Sequence, residues 1–292
     1  MHSEEELINI GLGLLDTGKY EKAIEYFTRI IQANPRSAAA HEYRSIACFR
    51  TYRINEALED IDKAIVLDPD NSNAWYYKGE IHRAKNEFLP AEAAYKRANE
   101  IYPGSRFYLS GLIYVSLKLQ KPEQAIDLCN ELLQDTPTDR LALTYRASAY
   151  ADLKRYPEAI KDLHKLVKEG NQTAGIYSDL GFYYSKTGEL KKAENNLTVA
   201  LHLNPTHPYA LNNLGHVYFL QKKYGAALEN INESLVVDPS NSYAYKNRAL
   251  VYLAQQKTEE ARQDLFKARA LGYTEDYDDE VEVLIQTHFP GA

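Results

Sequence analysis

The sequence predicts an all-α fold, a solenoid of eight helical hairpins, and three observations predict it. Pro35, Pro69, Pro103 and Pro137 recur every 34 residues, and the beat resumes in phase at Pro205 and Pro239 after one place where Gly170-Asn171 stands instead. Ala23, Ala57, Ala91, Ala125, Ala159, Ala193, Ala227 and Ala261 hold the same step without exception. Within each unit the apolar residues twice follow a helical period. A repeat of this length is one hairpin that cannot bury its apolar face alone, so its copies stack.

Placing proline near the end of each unit sets the repeats at 4–37, 38–71, 72–105, 106–139, 140–173, 174–207, 208–241 and 242–275, one solenoid over 4–275. The first helix of each unit has apolar residues on its third, fourth, eighth, eleventh and fourteenth places, a single stripe at 3.6-residue spacing. A short turn follows, with Gly18 or Gly188 in two copies. The second helix carries the alanine column and, four places on, a larger apolar residue: Phe27, Ile61, Tyr95, Leu163, Leu197, Ile231 or Leu265. Proline then closes the unit because it cannot continue a helix. Pro122 and Pro157 fall instead in the first turn of a second helix, where a missing N–H does no harm. The fourth repeat fits least well, with Ile113, Ser116 and Leu132 at column places, and the fifth lacks its closing proline.

Both ends fit a capped array. Ser3 and Glu6 have the spacing of a capping box. Asp278, Asp279 and Glu280 open a further helix, whose Val281, Leu284 and Ile285 cover the last repeat, so 276–292 is expected to be a capping helix and tail. Arg44, Arg146 and Arg248 share the seventh place, and the same three repeats carry Asp60, Asp162 and Asp264 sixteen residues later. Charges that travel together in this way predict an ion pair between the two helices of a hairpin, since an unpaired buried charge is costly.

Trp75, Tyr177 and Tyr245 at the fourth place, Gly79, Gly181 and Gly215 at the eighth, and Tyr150, Tyr184, Tyr218 and Tyr252 at the eleventh complete the pattern. With the alanine and proline columns they resemble the tetratricopeptide repeat family over nearly the whole chain. The resemblance implies a right-handed superhelix that turns its first helices inward as a concave groove.

Composition narrows the function. A net charge of −7 argues against a binder of nucleic acid, which needs a basic stripe. The acidic start Glu4-Glu5-Glu6 is unlike a signal peptide, and no apolar run reaches the ~18 residues of a membrane span. Two cysteines, Cys48 and Cys129, both on core places, fit neither a disulfide framework nor a zinc site, and a reducing, cytoplasmic setting is expected. Gly11-Leu12-Gly13 lies in a helical pattern, not a phosphate loop. His202 and His207 lack a third metal ligand, and no carboxylate pair has an acid–base rationale. The chain is therefore expected to be no enzyme and to need no cofactor or metal.

Function must come from the first-helix face opposite the core stripe. It carries Tyr43, Phe49, Tyr76, Tyr77, Phe107, Tyr114, Tyr145, Phe182, Tyr209, Phe219 and Tyr243, where a solvated face would be polar. In the stretch Trp75-Tyr76-Tyr77, Trp75 belongs to the core stripe while Tyr76 and Tyr77 fall where the fold asks for nothing. Asn9, Asn213 and Asn247 share the sixth place, with Asn73 and Asn212 beside it, and a carboxamide can pair with any peptide backbone. The family often holds extended ligands with such asparagines, which makes repeats six to eight the principal candidate, lined also by Asp179, Tyr209, His216 and Lys246. The family's carboxylate-clamping set of lysine, asparagine and arginine over three successive repeats is not matched. Groove charges are nearly balanced, Glu5, Asp16, Glu42, Glu80, Asp152 and Asp179 against Arg50, Arg83, Lys118, Lys186 and Lys246, so no strong steering is expected.

The expected function is a non-catalytic scaffold that binds a peptide segment of a partner protein. The expected contacts are Tyr43, Tyr76, Tyr77, Tyr114, Tyr145, Asp179, Phe182, Tyr209, Asn212, Asn213, His216, Tyr243, Lys246 and Asn247. The chain is expected to act as a monomer or weak homo-oligomer, without nucleic acid or membrane. The alternatives are a self-associating structural protein and an auxiliary subunit of an enzyme complex.

Overall fold

The computed structural model describes residues 3–273 and 279–291. These residues form seventeen α-helices and no strand, an all-α repeat solenoid. The hairpins are α1 (Glu4–Asp16) with α2 (Tyr20–Ala33), α3 (Ala38–Arg50) with α4 (Ile54–Leu67), α5 (Ser72–Ala84) with α6 (Phe88–Ile101), and α7 (Arg106–Lys118) with α8 (Pro122–Asp135). They continue with α9 (Arg140–Asp152) and α10 (Tyr156–Lys168), α11 (Ala174–Lys186) and α12 (Leu190–Leu203), α13 (Pro208–Leu220) and α14 (Tyr224–Val237), and α15 (Ser242–Ala254) and α16 (Thr258–Ala270). A final helix, α17, spans Glu280–His288. Every first helix begins at the residue that opens the corresponding sequence repeat. The fold divides between Ala149 and Tyr150 into two compact units.

A column of N-caps sets these starts. Ser3, Ser37, Asn71, Asp139, Thr173, His207 and Asn241 stand one residue before their helices, 34 residues or a multiple of it apart. Each accepts a hydrogen bond from the backbone N–H three residues on, for example Ala74 to Asn71 at 3.0 Å and Ala142 to Asp139 at 2.9 Å. One of the four orphan donors at the helix start is thereby satisfied. At Ser3 the Glu6 carboxylate also accepts from the Ser3 N–H at 2.8 Å, completing the expected capping box.

The hairpin turns share a second column. Gly18 and Gly188 adopt left-handed φ of 69° and 81°, and so do Tyr52, Asn86, Gln120, Lys154, Lys222 and Gln256, at 56–62°. Backbone bonds such as Tyr52 N–H to Phe49 C=O and Arg53 N–H to Cys48 C=O close each first helix in a Schellman turn. A side chain in this conformation costs roughly 1–2 kcal/mol, partly offset by the greater chain entropy of glycine. Tyr52 is 89% exposed, so little packing would be lost with its ring. Tyr52→Gly should therefore stabilise the chain by about 0.5–1 kcal/mol, read as a higher urea midpoint. The fifth repeat, without its proline, ends α10 by the same device: Gly170 has φ of 86°, and Asn171 N–H donates to Leu166 C=O.

The alanine column is the seam of the core, and all eight of its members are 0% exposed. Small residues opposite it admit the large ones. A Cβ on Gly181 would lie 2.4 Å from Leu197, and one on Gly215 would lie 2.5 Å from Ile231 and 3.0 Å from the Ala227 carbonyl oxygen. Tyr95, wholly buried, has two such neighbours, since a Cβ on Gly79 or on Gly111 would strike its ring at 2.5 and 2.7 Å. Gly111 lies on the sixth place of the fourth repeat, so the Tyr95 ring is admitted by one glycine of its own repeat and one of the next.

Two of the three expected charge pairs are seen directly. Arg44 donates from Nε and Nη2 to both Asp60 oxygens at 2.7 Å, and Arg248 does the same to Asp264 at 2.7 and 2.8 Å. A guanidinium Nη1 reaches back to the preceding repeat in all three arginines, from Arg44 to Thr28, from Arg146 to Asn130 and from Arg248 to Asn232. Each of these arginines thus also ties neighbouring hairpins together. At the C-terminal end α17 packs on α16, burying Val281 and Ile285 against Ala261, Leu265 and Ala268, with Leu284 at the edge. Asp278, expected to help open this helix, lies outside the described residues.

Candidate functional site

Neighbouring first helices pack on one another within each unit, α1 on α3, α3 on α5 and α5 on α7, then α11 on α13 and α13 on α15. Their outward-facing places therefore form one continuous surface in each unit.

In the first unit that surface is a cluster of rings. Tyr76 sits at its centre, 5.3 Å from Tyr77, 5.5 Å from Tyr108, 6.0 Å from Tyr95 and 6.3 Å from Phe107. Burial pushes its phenol up to about 12. Tyr76 is thus a packing residue as well as a surface one, and the expectation that the fold asks nothing of it is corrected. Tyr43 leans on Phe27 at 5.7 Å. Tyr114 takes Arg83 and Lys118 over its ring at 5.4 and 5.7 Å, while Arg83 is held by Glu80 at 2.6 Å. Tyr145 is half-buried, and that burial raises its pKa. Asn73, read as a free carboxamide, donates instead to the buried Glu42, which also accepts from Asn71 at 2.7 Å.

The second unit holds a recess of about 470 Å³, lined by Gly175, Ser178, Asp179 and Phe182 of α11, by His207, Tyr209 and Asn213 on and before α13, and by Tyr243 of α15. Five of the expected contact residues meet here: Asp179, Phe182, Tyr209, Asn213 and Tyr243. Tyr209 is 51% exposed. Tyr243 stacks on Tyr273 at 5.8 Å and 11°, and meets Phe182 edge-on at 6.4 Å. Asp179 lines the recess as an exposed residue, and partial desolvation by the protein around it pushes its carboxyl up to about 6.

Four expected contacts lie elsewhere. Asn212 and Asn247 have no exposed surface, and Asn247 Nδ2 donates to Asn212 Oδ1 at 3.0 Å. They are a buried bridge between α13 and α15, not ligand contacts. Asn212 Nδ2 in turn donates to Asn213 Oδ1 at 3.4 Å, so the Asn213 amide nitrogen, on a residue that lines the recess, is not the atom used in that bond. Lys246 is 1% exposed; its Nζ lies 3.0 Å from Glu280 and 4.6 Å from the Tyr243 ring centroid. His216 packs 6.0 Å from Phe219 and does not line the recess. Burial, then the Lys246 and Lys186 charges, lower its pKa to about 3, so the ring stays neutral. Gly175, Ser178 and His207 were not anticipated. Gly175 and Ser178 are too small to stand out in the sequence, yet their size helps to open the space.

Among the described residues no helix is long and apolar enough to cross a membrane, and no group of three or more His, Cys, Asp or Glu could hold a metal ion. The profile described as tetratricopeptide repeat matches residues 8–69, 51–106 and 112–173, and a second profile of the same description matches 208–241. The chain belongs to the tetratricopeptide repeat family. This family generally mediates protein–protein interaction, typically through non-catalytic scaffolds. The chain is 27% identical over 228 residues to the TPR repeat-containing protein MJ1428 of Methanocaldococcus jannaschii, covering 74% of this chain and 40% of that protein. It is 31% identical over 112 residues to sperm-associated antigen 1 of Rattus norvegicus, covering 38% of this chain and 12% of the other. It therefore spans less than half the length of either relative. A tetratricopeptide repeat protein from Parabacteroides merdae shares the fold with a TM-score of 0.72 at 20% identity, over 86% of this chain and 98% of that one. The structure of the APC/C hetero-tetramer Cut9–Hcn1 gives 0.65 at 16% identity, over 92% and 52%.

Proposed function

We propose that the chain is a non-catalytic scaffold whose repeats six to eight bind an extended peptide segment of a partner protein. The observation that carries this reading is the recess itself, where three successive first helices contribute aromatic rings and one carboxamide to a single concavity. Its volume falls within the roughly 300–1,000 Å³ usual for ligand sites, and a few polar groups among apolar walls is their usual composition. Asn213 would donate to a peptide carbonyl, which fixes the backbone whatever its sequence. Tyr209, Phe182 and Tyr243 would cover the flanking side chains. Net charge and the family's habit support a chain that works without nucleic acid or lipid, in the cytoplasm, as a monomer or weak homo-oligomer.

A displayed library of random twelve-residue peptides, selected on the full chain, tests this. Selected peptides should lose at least about tenfold in affinity on the double variant Tyr209→Ser with Asn213→Ala, the cost of one lost hydrogen bond and one lost ring contact. The melting temperature should fall only slightly, because Asn213→Ala removes a single long hydrogen bond from Asn212. Failure to select any peptide, or affinity indifferent to that double variant, would overturn the assignment.

A further inference from the structure

We infer that the recess of repeats six to eight takes a lysine or arginine side chain of the bound segment, with Asp179 as its counter-charge. The inference rests on the peptide-binding reading above and sharpens it. Among the described residues Asp179 is the one carboxylate lining the recess, and no lysine or arginine lines it. The buried carboxylates Asp60, Asp264, Asp139 and Glu92 are already paired, with Arg44, with Arg248, with Arg106, and with Lys96 and Lys121. Among the described residues Asp179 has neither a hydrogen bond nor an ion pair. A carboxylate with no partner, set among aromatic walls, offers an incoming cation a counter-charge.

The surroundings favour the same charge. Burial first, then the Asp179 and Asp152 charges, make the Tyr183 hydroxyl harder to ionise, so two carboxylates bear on this residue of α11. Two lysines of these helices are engaged elsewhere, Lys246 with Glu280 and Lys186 over the Phe182 ring at 5.2 Å. These contacts also show the rings of this surface accepting cations on their faces, as the aromatic quadrupole favours. A basic side chain lying against Tyr209 and Tyr243 would place its head group at Asp179 and its apolar stem on the rings. Asn213, donating to the adjoining peptide carbonyl, would set its register.

The test is a double-mutant cycle on the selected twelve-residue peptides. Lysine or arginine should recur at one position. Changing it to glutamine in the synthetic peptide should weaken binding at least about tenfold, and Asp179→Asn should do the same. The two changes together should cost little more than either alone. Glu260→Gln, at an exposed carboxylate of α16 that does not line the recess, should leave affinity within about twofold, since an exposed surface charge is screened by salt. Asp179→Asn keeps the side chain's shape and removes a charge the fold disfavours, so its melting temperature should not fall. Peptides that need Tyr209 and Asn213 but carry no recurrent basic residue, or whose basic residue is additive with Asp179→Asn, would overturn the cation and leave the recess standing. Peptides indifferent to Tyr209 and Asn213 as well would overturn both.

Discussion

Replacing Tyr95 by alanine should lower the stability of the first unit by about 3–5 kcal/mol, the cost of deleting a large buried aromatic. The ring is 0% exposed and lies against Gly79 and Gly111, two residues without a side chain to move into the space. The cavity would therefore collapse poorly. Its hydroxyl donates to Glu80, which also holds Arg83 at 2.6 Å, and Tyr76 rests on the same ring at 6.0 Å. Loss of Tyr95 would thus loosen both the core and the aromatic surface above it. Tyr95→Phe separates the two contributions, with an expected cost of about 1 kcal/mol for the hydrogen bond alone. Urea unfolding monitored by circular dichroism reads both values. A midpoint for the alanine variant close to that of the native chain would refute the packing account.

Arg248→Ala should cost about 3 kcal/mol through a different mechanism. Asp264 is 6% exposed and both its oxygens are engaged by Arg248, so removal of the guanidinium leaves a buried charge unpaired. The same change cuts the bond to Asn232 of the preceding repeat, so it weakens a hairpin and its junction together. The double variant Arg248→Leu with Asp264→Leu should recover most of the loss, because well-packed apolar residues commonly replace a buried pair at no net cost. A double variant as unstable as the single one would mean that the pair contributes more than the avoidance of an orphan charge.

Sequence reasoning reaches the repeat phase, the helix starts, the alanine seam and the Arg–Asp pairs because each is a strict column, repeated often enough to stand out. The N-cap column was present in the same way but hidden by its chemistry. Ser3, Asn71, Asp139, Thr173 and His207 look unrelated until one notes that each side chain carries an acceptor atom. The left-handed turn was visible only at Gly18 and Gly188, since Tyr52 or Lys222 gives no sign of the conformation that the hairpin imposes on it. The candidate site was legible as a face but not in depth. Asn212, Lys246 and Asn247 lie on the fifth and sixth places like Asp179 and Asn213, yet they are buried where α13, α15 and the C-terminal segment pack together. Helical periodicity assigns a side to each residue; how far the next hairpin covers that side is decided by packing. Tyr76 shows the same limit, placed on the open face by its number and half-buried by Tyr95 and Tyr108.

The central claim is that repeats six to eight receive a peptide segment. Its most direct test is backbone-amide NMR of the full chain titrated with a selected peptide. The account predicts shift changes concentrated at residues 175–182, 207–213 and 243, with the second helices α12, α14 and α16 little affected. Changes confined to those second helices or to the first unit, with 175–182 and 207–213 unmoved at saturation, would contradict it.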